Sequence, residues 1–88
     1  MRHDPPRLVV DTRTKTVQLD GVDYAVSHQP WLYVKALAGN SPGWVKGRLI
    51  PGMKRPRDAR RRLPPEILGV IESGRLGHRL TVRAEVAH

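Results

Sequence analysis

Apolar positions along the chain follow two different periods, and the switch between them divides it into elements. Leu8-Val9-Val10 is a run rich in β-branched residues, followed by the polar stretch Asp11-Thr12-Arg13-Thr14-Lys15. Thr16-Val17-Gln18-Leu19 alternates polar and apolar, as a half-buried strand does. Asp20-Gly21 supplies a hairpin turn, because Gly tolerates positive φ, and Tyr24-Ala25-Val26 reads as a third short strand. Residues 8–26 are therefore predicted to form a small antiparallel sheet.

The period then lengthens. Ser27 is the expected N-cap, its hydroxyl accepting from a free backbone N–H, and Pro30 fits within the first turn. Trp31, Val34, Leu37 and Ala38 fall at i, i+3, i+6 and i+7, with Leu32 widening the stripe. This spacing predicts a helix over 28–38, closed by Gly39-Asn40, residues that accept the left-handed conformation. After the loop Asn40-Ser41-Pro42-Gly43, Trp44, Val45, Leu49 and Ile50 suit a second helix over 44–50. Gly47 weakens that helix by about 1 kcal/mol relative to Ala, and Pro51-Gly52 breaks it.

Residues 53–63 carry the densest charge: six of these eleven residues are basic and one, Asp58, is acidic. Pro56 suits a helix start, and Pro64-Pro65 predicts a stop. Ala59 and Leu63 lie four apart and face inward, while Arg57, Arg60 and Arg61 share another face. Beyond this basic third helix, 68–71 is apolar, and Gly74 and Gly77 bracket a turn. Leu80 and Val82 then alternate with Arg79, Thr81 and Arg83. That pattern predicts a C-terminal β-hairpin. Residues 1–6 and 84–88 are expected to fray, leaving one domain over 1–88 with an ordered part of about 7–83. Trp31, Leu37, Leu49, Leu63, Ile71 and Leu80 are the expected core, with Trp44, Tyr24 and Tyr33 in structural roles.

Composition narrows the chemistry. Sixteen Lys and Arg against eight Asp and Glu give a net charge of +8, which attracts a polyanion: nucleic acid first, an acidic membrane surface or acidic protein second. The absence of cysteine removes disulfides, thiol nucleophiles and thiolate metal sites, and fits a reducing compartment. No apolar run is long enough for a signal peptide or a membrane span, so a soluble cytoplasmic protein without a membrane partner is expected. The histidines, at 3, 28, 78 and 88, lack metal-ligand spacing, and no Gly-rich loop leads into Lys-Ser/Thr. Ser27-His28 has no orienting acid, and the carboxylates are scattered singly. No enzyme, no catalytic residue, no metal and no cofactor are expected. Two Trp, two Tyr and no Phe also argue against a stacking surface for single strands.

The order sheet, helix, helix, basic helix, hairpin predicts an α+β winged helix-turn-helix, whose third helix is narrow enough for the major groove. The pattern resembles the winged-helix effector domain of OmpR/PhoB-type response regulators over about residues 8–82. Leu8-Val9-Val10-Asp11, Val17 and Leu19-Asp20-Gly21 fit the opening strands of that family, and Val26-Ser27 through Leu37-Ala38 fits its first helix. Ile71 and Arg75-Leu76-Gly77-His78-Arg79-Leu80 take the place of its closing Ile and Gly-x-Gly-Tyr-Arg-Leu. His78 stands where the family has Tyr, Arg75 replaces the first Gly, and the third helix is much shorter. No receiver domain is expected ahead of the module, so phosphorelay control is not implied.

The resemblance implies double-stranded DNA binding in transcriptional control, with Lys54, Arg55, Arg57, Arg60 and Arg61 on the DNA. Base readout would fall to Arg57, Arg60 and Arg61, because a planar guanidinium fork pairs with two acceptors on guanine. Arg75 and Arg79 of the wing would add backbone contacts. Two other readings remain open at the level of sequence: a ribosome-associated RNA-binding module, and a protein-interaction module whose basic face meets an acidic partner.

Overall fold

The computed structural model describes residues 7–53 and 55–87. The expected N-terminal fraying over 1–6, and His88 at the other end, lie outside the described residues. Strands β1 (Arg7–Asp11), β2 (Thr16–Leu19) and β3 (Val22–Ala25) form the predicted antiparallel sheet, with Leu8 opposite Leu19 and Leu19 opposite Val22. The Asp11 carboxylate closes the first turn by accepting from the N–H groups of Arg13 (2.8 Å) and Thr14 (3.3 Å). Asp20 and Gly21 both take positive φ, 53° and 85°, the backbone twist a two-residue hairpin requires. Alternation along β1 and β2 buries Leu8, Val10 and Val17 completely against the helical layer.

The C-terminal tail departs from expectation. Residues predicted to fray form a strand, β6 (Arg83–Ala87), which runs parallel to β1 and completes a four-stranded sheet in the order β3-β2-β1-β6. The ordered chain therefore extends past 83. Pairing continues beyond the strand, where Ala87 carbonyl accepts from the Thr12 backbone N–H (3.0 Å) and hydroxyl (2.9 Å). An Arg7–Glu85 ion pair bridges the same two strands. Without β6, the outer edge of β1 would expose a row of unpaired backbone groups.

Helix α1 (His28–Gly39) follows the predicted apolar stripe and buries Pro30, Trp31, Tyr33, Val34, Leu37 and Ala38. Ser27 occupies the N-cap position with extended backbone, but its hydroxyl makes no capping bond. Asn40 ends the helix at φ −114° rather than in the left-handed region. Each fully buried aliphatic side chain on this face contributes about 1.5–3 kcal/mol of apolar burial.

The second predicted helix, over 44–50, is replaced by an extended residue and a single turn. Val45 bridges His78 through reciprocal backbone bonds of 2.7 and 2.8 Å, so its peptide groups are committed to a ladder. A 3-10 turn, Gly47–Leu49, is all that follows. It turns Ile50 into the core, 4% exposed, and leaves Leu49 outside it, 69% exposed. Trp44 is only half-buried, beside the core rather than in it.

The basic segment forms α2 (Pro56–Arg61), which buries Ala59 and is followed by buried Leu63. Pro64-Pro65 ends that helix but starts another, the single turn α3 (Pro65–Leu68), because a proline in the first turn needs no backbone donor. Strands β4 (Ile71–Gly74) and β5 (Gly77–Leu80) then form the predicted hairpin, pairing Ile71 with Leu80. The strand predicted to reach residue 83 breaks after Leu80, where the Thr81 N–H and hydroxyl both donate to the Val70 carbonyl, at 2.8 and 3.2 Å. Trp31, Leu37, Leu63, Ile71 and Leu80 share one core with Tyr33, Ile50, Met53 and Ile67. The fold is α+β: a sheet, three helices and a hairpin ahead of the final strand. Among the described residues no helix is long and apolar enough to cross a membrane.

Candidate nucleic-acid interface

Charge is unevenly spread over this fold. In the four-stranded sheet and its turns, Arg7, Arg13, Lys15 and Arg83 are balanced by Asp11, Asp20, Asp23 and Glu85. The positive excess falls on the 3-10 turn, α2 and the hairpin.

Arg57, Arg60 and Arg61 reach toward the hairpin rather than standing apart from it. Together with Ser73, Gly74 and His78 they line an open groove of about 400 Å³. Gly74 also borders a second depression of about 370 Å³, framed by Lys46, Arg48 and Arg75, so the two form one continuous basic surface. No carboxylate among the described residues lies within ion-pair distance of Arg57, Arg60, Arg61, Arg75, Lys46 or Arg48.

The remaining predicted site residues stand elsewhere. Arg55 precedes α2 and approaches Asp58 at 3.8 Å, an exposed pair of little energetic weight. Lys54 lies outside the described residues. Arg79 points to the opposite face of the hairpin from His78, where it donates to Glu72 across the strands (3.1 Å) and covers the Trp44 ring, 4.7 Å from its centroid. That arrangement gives Arg79 a partner on each side.

Lys46, Arg48, Ser73 and His78 line this basic surface and were not among the predicted site residues. The Lys46-Gly47-Arg48 doublet was the available signal, hidden by its assignment to a helix. Two close approaches hold this corner together. A Cβ at Gly47 would strike the Pro56 ring and come within 3.4 Å of His78 Nε2. Gly77, at φ 116°, leaves no room for a Cβ beneath the Val45 carbonyl.

His78 and Tyr33 form the floor where α1, α2 and the hairpin meet. The Tyr33 hydroxyl and His78 Nδ1 are 2.7 Å apart, and the rings meet edge to face at 80° with centroids 5.2 Å apart. Burial pushes the Tyr33 hydroxyl up to about 12, against a smaller opposing effect of the Arg60 charge. Burial, then the Arg60 and Arg57 guanidinium charges, hold the His78 imidazole below its ordinary value near 6.5. Both rings are therefore neutral at neutral pH, and the tautomer of the imidazole sets whether Tyr33 donates to Nδ1 or accepts from it. Arg60 is half-buried beside them, with its Nε enclosed and without an acceptor among the described residues.

Among the described residues no cluster of His, Asp or Glu could hold a metal ion. Comparison of the chain with protein-family models, with curated proteins and with solved structures found no match.

Proposed function

We propose that this chain is a winged-helix-like module that binds double-stranded DNA, acting in transcriptional control as a binding protein rather than an enzyme. One observation carries the reading: α2 and the hairpin converge on a groove whose three guanidinium groups have no carboxylate partner among the described residues. Of the three, Arg60 is half-buried and Arg57 and Arg61 are exposed, and a cluster of uncompensated cations of this kind is stabilised by an external polyanion. Arg57 and Arg61 supply planar forks that suit phosphate or guanine, and α2, about 9 Å long, is narrow enough for a major groove about 12 Å wide. Lys46, Arg48 and Arg75 extend the contact to neighbouring phosphates, while Arg79 keeps the hairpin in place. This geometry favours B-form DNA, because A-form RNA closes its major groove to side chains.

Titrating labelled DNA duplex, RNA duplex and polyglutamate in one buffer tests the assignment. Tightest binding to the DNA duplex supports it. Contact with about four to six phosphates gives a slope of log K against log salt of roughly −4 to −5. Tighter binding to RNA or to polyglutamate, or an affinity indifferent to salt, refutes it.

A further inference from the structure

We propose that the groove between α2 and the hairpin is a proton-coupled phosphate site, in which a bound phosphate group draws a proton onto His78. The inference rests on the nucleic-acid reading only for the source of the phosphate. Its own basis is the juxtaposition of His78, Ser73, Arg57, Arg60 and Arg61 around one open concavity.

Every group facing His78 bears on its proton. From α1, Tyr33 offers a hydroxyl at 2.7 Å from Nδ1. From α2, Arg57 and Arg60 bring positive charge, and Arg55 with Asp58 frames a neighbouring depression that His78 also lines. From β4, Ser73 is paired directly opposite His78. Partial burial, then the two guanidinium charges, disfavour an imidazolium. A phosphate dianion or diester among those guanidinium groups reverses the local field, and the imidazolium becomes the favoured form.

The hydrogen-bond geometry accommodates the change without moving a heavy atom. In the neutral tautomer with its proton on Nε2, His78 accepts from Tyr33 at Nδ1; in the other it already donates there. From the first, His78 gains a proton from solvent at Nδ1 and donates to the same Tyr33 oxygen, whose own hydrogen turns away. Tyr33 stays neutral in both states because its ionisation lies near 12. The result is a polyanion site whose affinity rises with acidity, by at most about tenfold per pH unit for one linked proton.

The measurement follows the His78 ring by NMR as a function of pH in the full chain. It is made first without ligand, then with inorganic phosphate at matched ionic strength, then with a DNA duplex. The His78 midpoint should rise by about half a pH unit or more with phosphate, and by at least as much with duplex. Duplex affinity should increase between about pH 7.5 and 5.5, and the increase should vanish in a folded His78→Gln variant. Duplex binding with an unmoved His78 overturns this inference and leaves the DNA reading intact. A His78 midpoint raised by inorganic phosphate without duplex binding upholds the phosphate site and removes the DNA reading. An unmoved His78 in the presence of both ligands overturns the site.

Discussion

Tyr33 on α1 and His78 on β5, 45 residues apart in the chain, are joined by a 2.7 Å hydrogen bond that ties the central helix to the hairpin. The bond makes the hairpin part of the core rather than an appendage, because Tyr33 itself is fully buried. It also places a titratable ring where α2 presents its arginines.

Stability should respond to pH through this ring. The folded-state value of His78 is depressed relative to the unfolded chain, so its contribution is fully present above the ordinary value near 6.5 and is lost as pH falls through the folded value. Denaturant unfolding between about pH 7.5 and 5 should show stability falling with acidity, and His78→Gln should flatten that slope. Tyr33→Phe should cost about 0.5–1.5 kcal/mol at neutral pH, since it leaves Nδ1 without its hydrogen-bond partner. An identical slope in wild type and His78→Gln would contradict the assignment.

Gly77→Ala should be among the most damaging small substitutions in the chain. Its backbone φ of 116° strains any residue with a Cβ, and the added carbon would collide with the Val45 carbonyl. A loss of about 2 kcal/mol or more is expected, whereas Gly39→Ala, with nothing within 4 Å, should be nearly neutral or stabilising. Thermal unfolding of the two variants checks the contrast.

Arg79 and Arg75 should separate structure from binding. Removing Arg79 loses the Glu72 pair and the Trp44 contact, so Arg79→Ala should destabilise the fold by about 0.5–1.5 kcal/mol. Arg75 is exposed and lines the basic surface without an ion-pair partner among the described residues. Arg75→Ala should leave unfolding unchanged and weaken duplex binding more than Arg79→Ala does. Unfolding curves and duplex titrations on both variants decide the matter.

The parts of this fold legible in the chain are those specified locally. Asp20-Gly21 predicts its own turn, and the Trp31-Val34-Leu37-Ala38 stripe predicts its own helix. The turn residues at 74–77 likewise predict the hairpin. What escaped notice depends on distant partners. Strand β6 exists because β1, more than seventy residues earlier, offers it an edge, and a parallel partner leaves no turn signature between them. Val45 is extended because His78 claims its backbone, which turns Ile50 inward in place of Leu49. At the interface, the guanidinium stripe of Arg57, Arg60 and Arg61 was readable from helical spacing. The positions of Ser73, Lys46 and Arg48 on the same surface appear only once α2 and the hairpin are brought to flank a common groove.

Under the proposed function, positive charge acts from α2 and not from the molecule at large. Arg61 is exposed on α2 and lines the groove, and Arg13 is exposed in the turn between β1 and β2, so alanine at either removes one charge with little effect on the core. The decisive measurement is the dissociation constant of Arg61→Ala and Arg13→Ala for one DNA duplex in one buffer, each variant first shown to unfold like wild type. Arg61→Ala should weaken binding by about tenfold, within the 1–3 kcal/mol of a lost base-edge contact, and Arg13→Ala by about twofold or less. Equal losses from the two would contradict the claim, because the charge would then act diffusely and α2 would hold no special place.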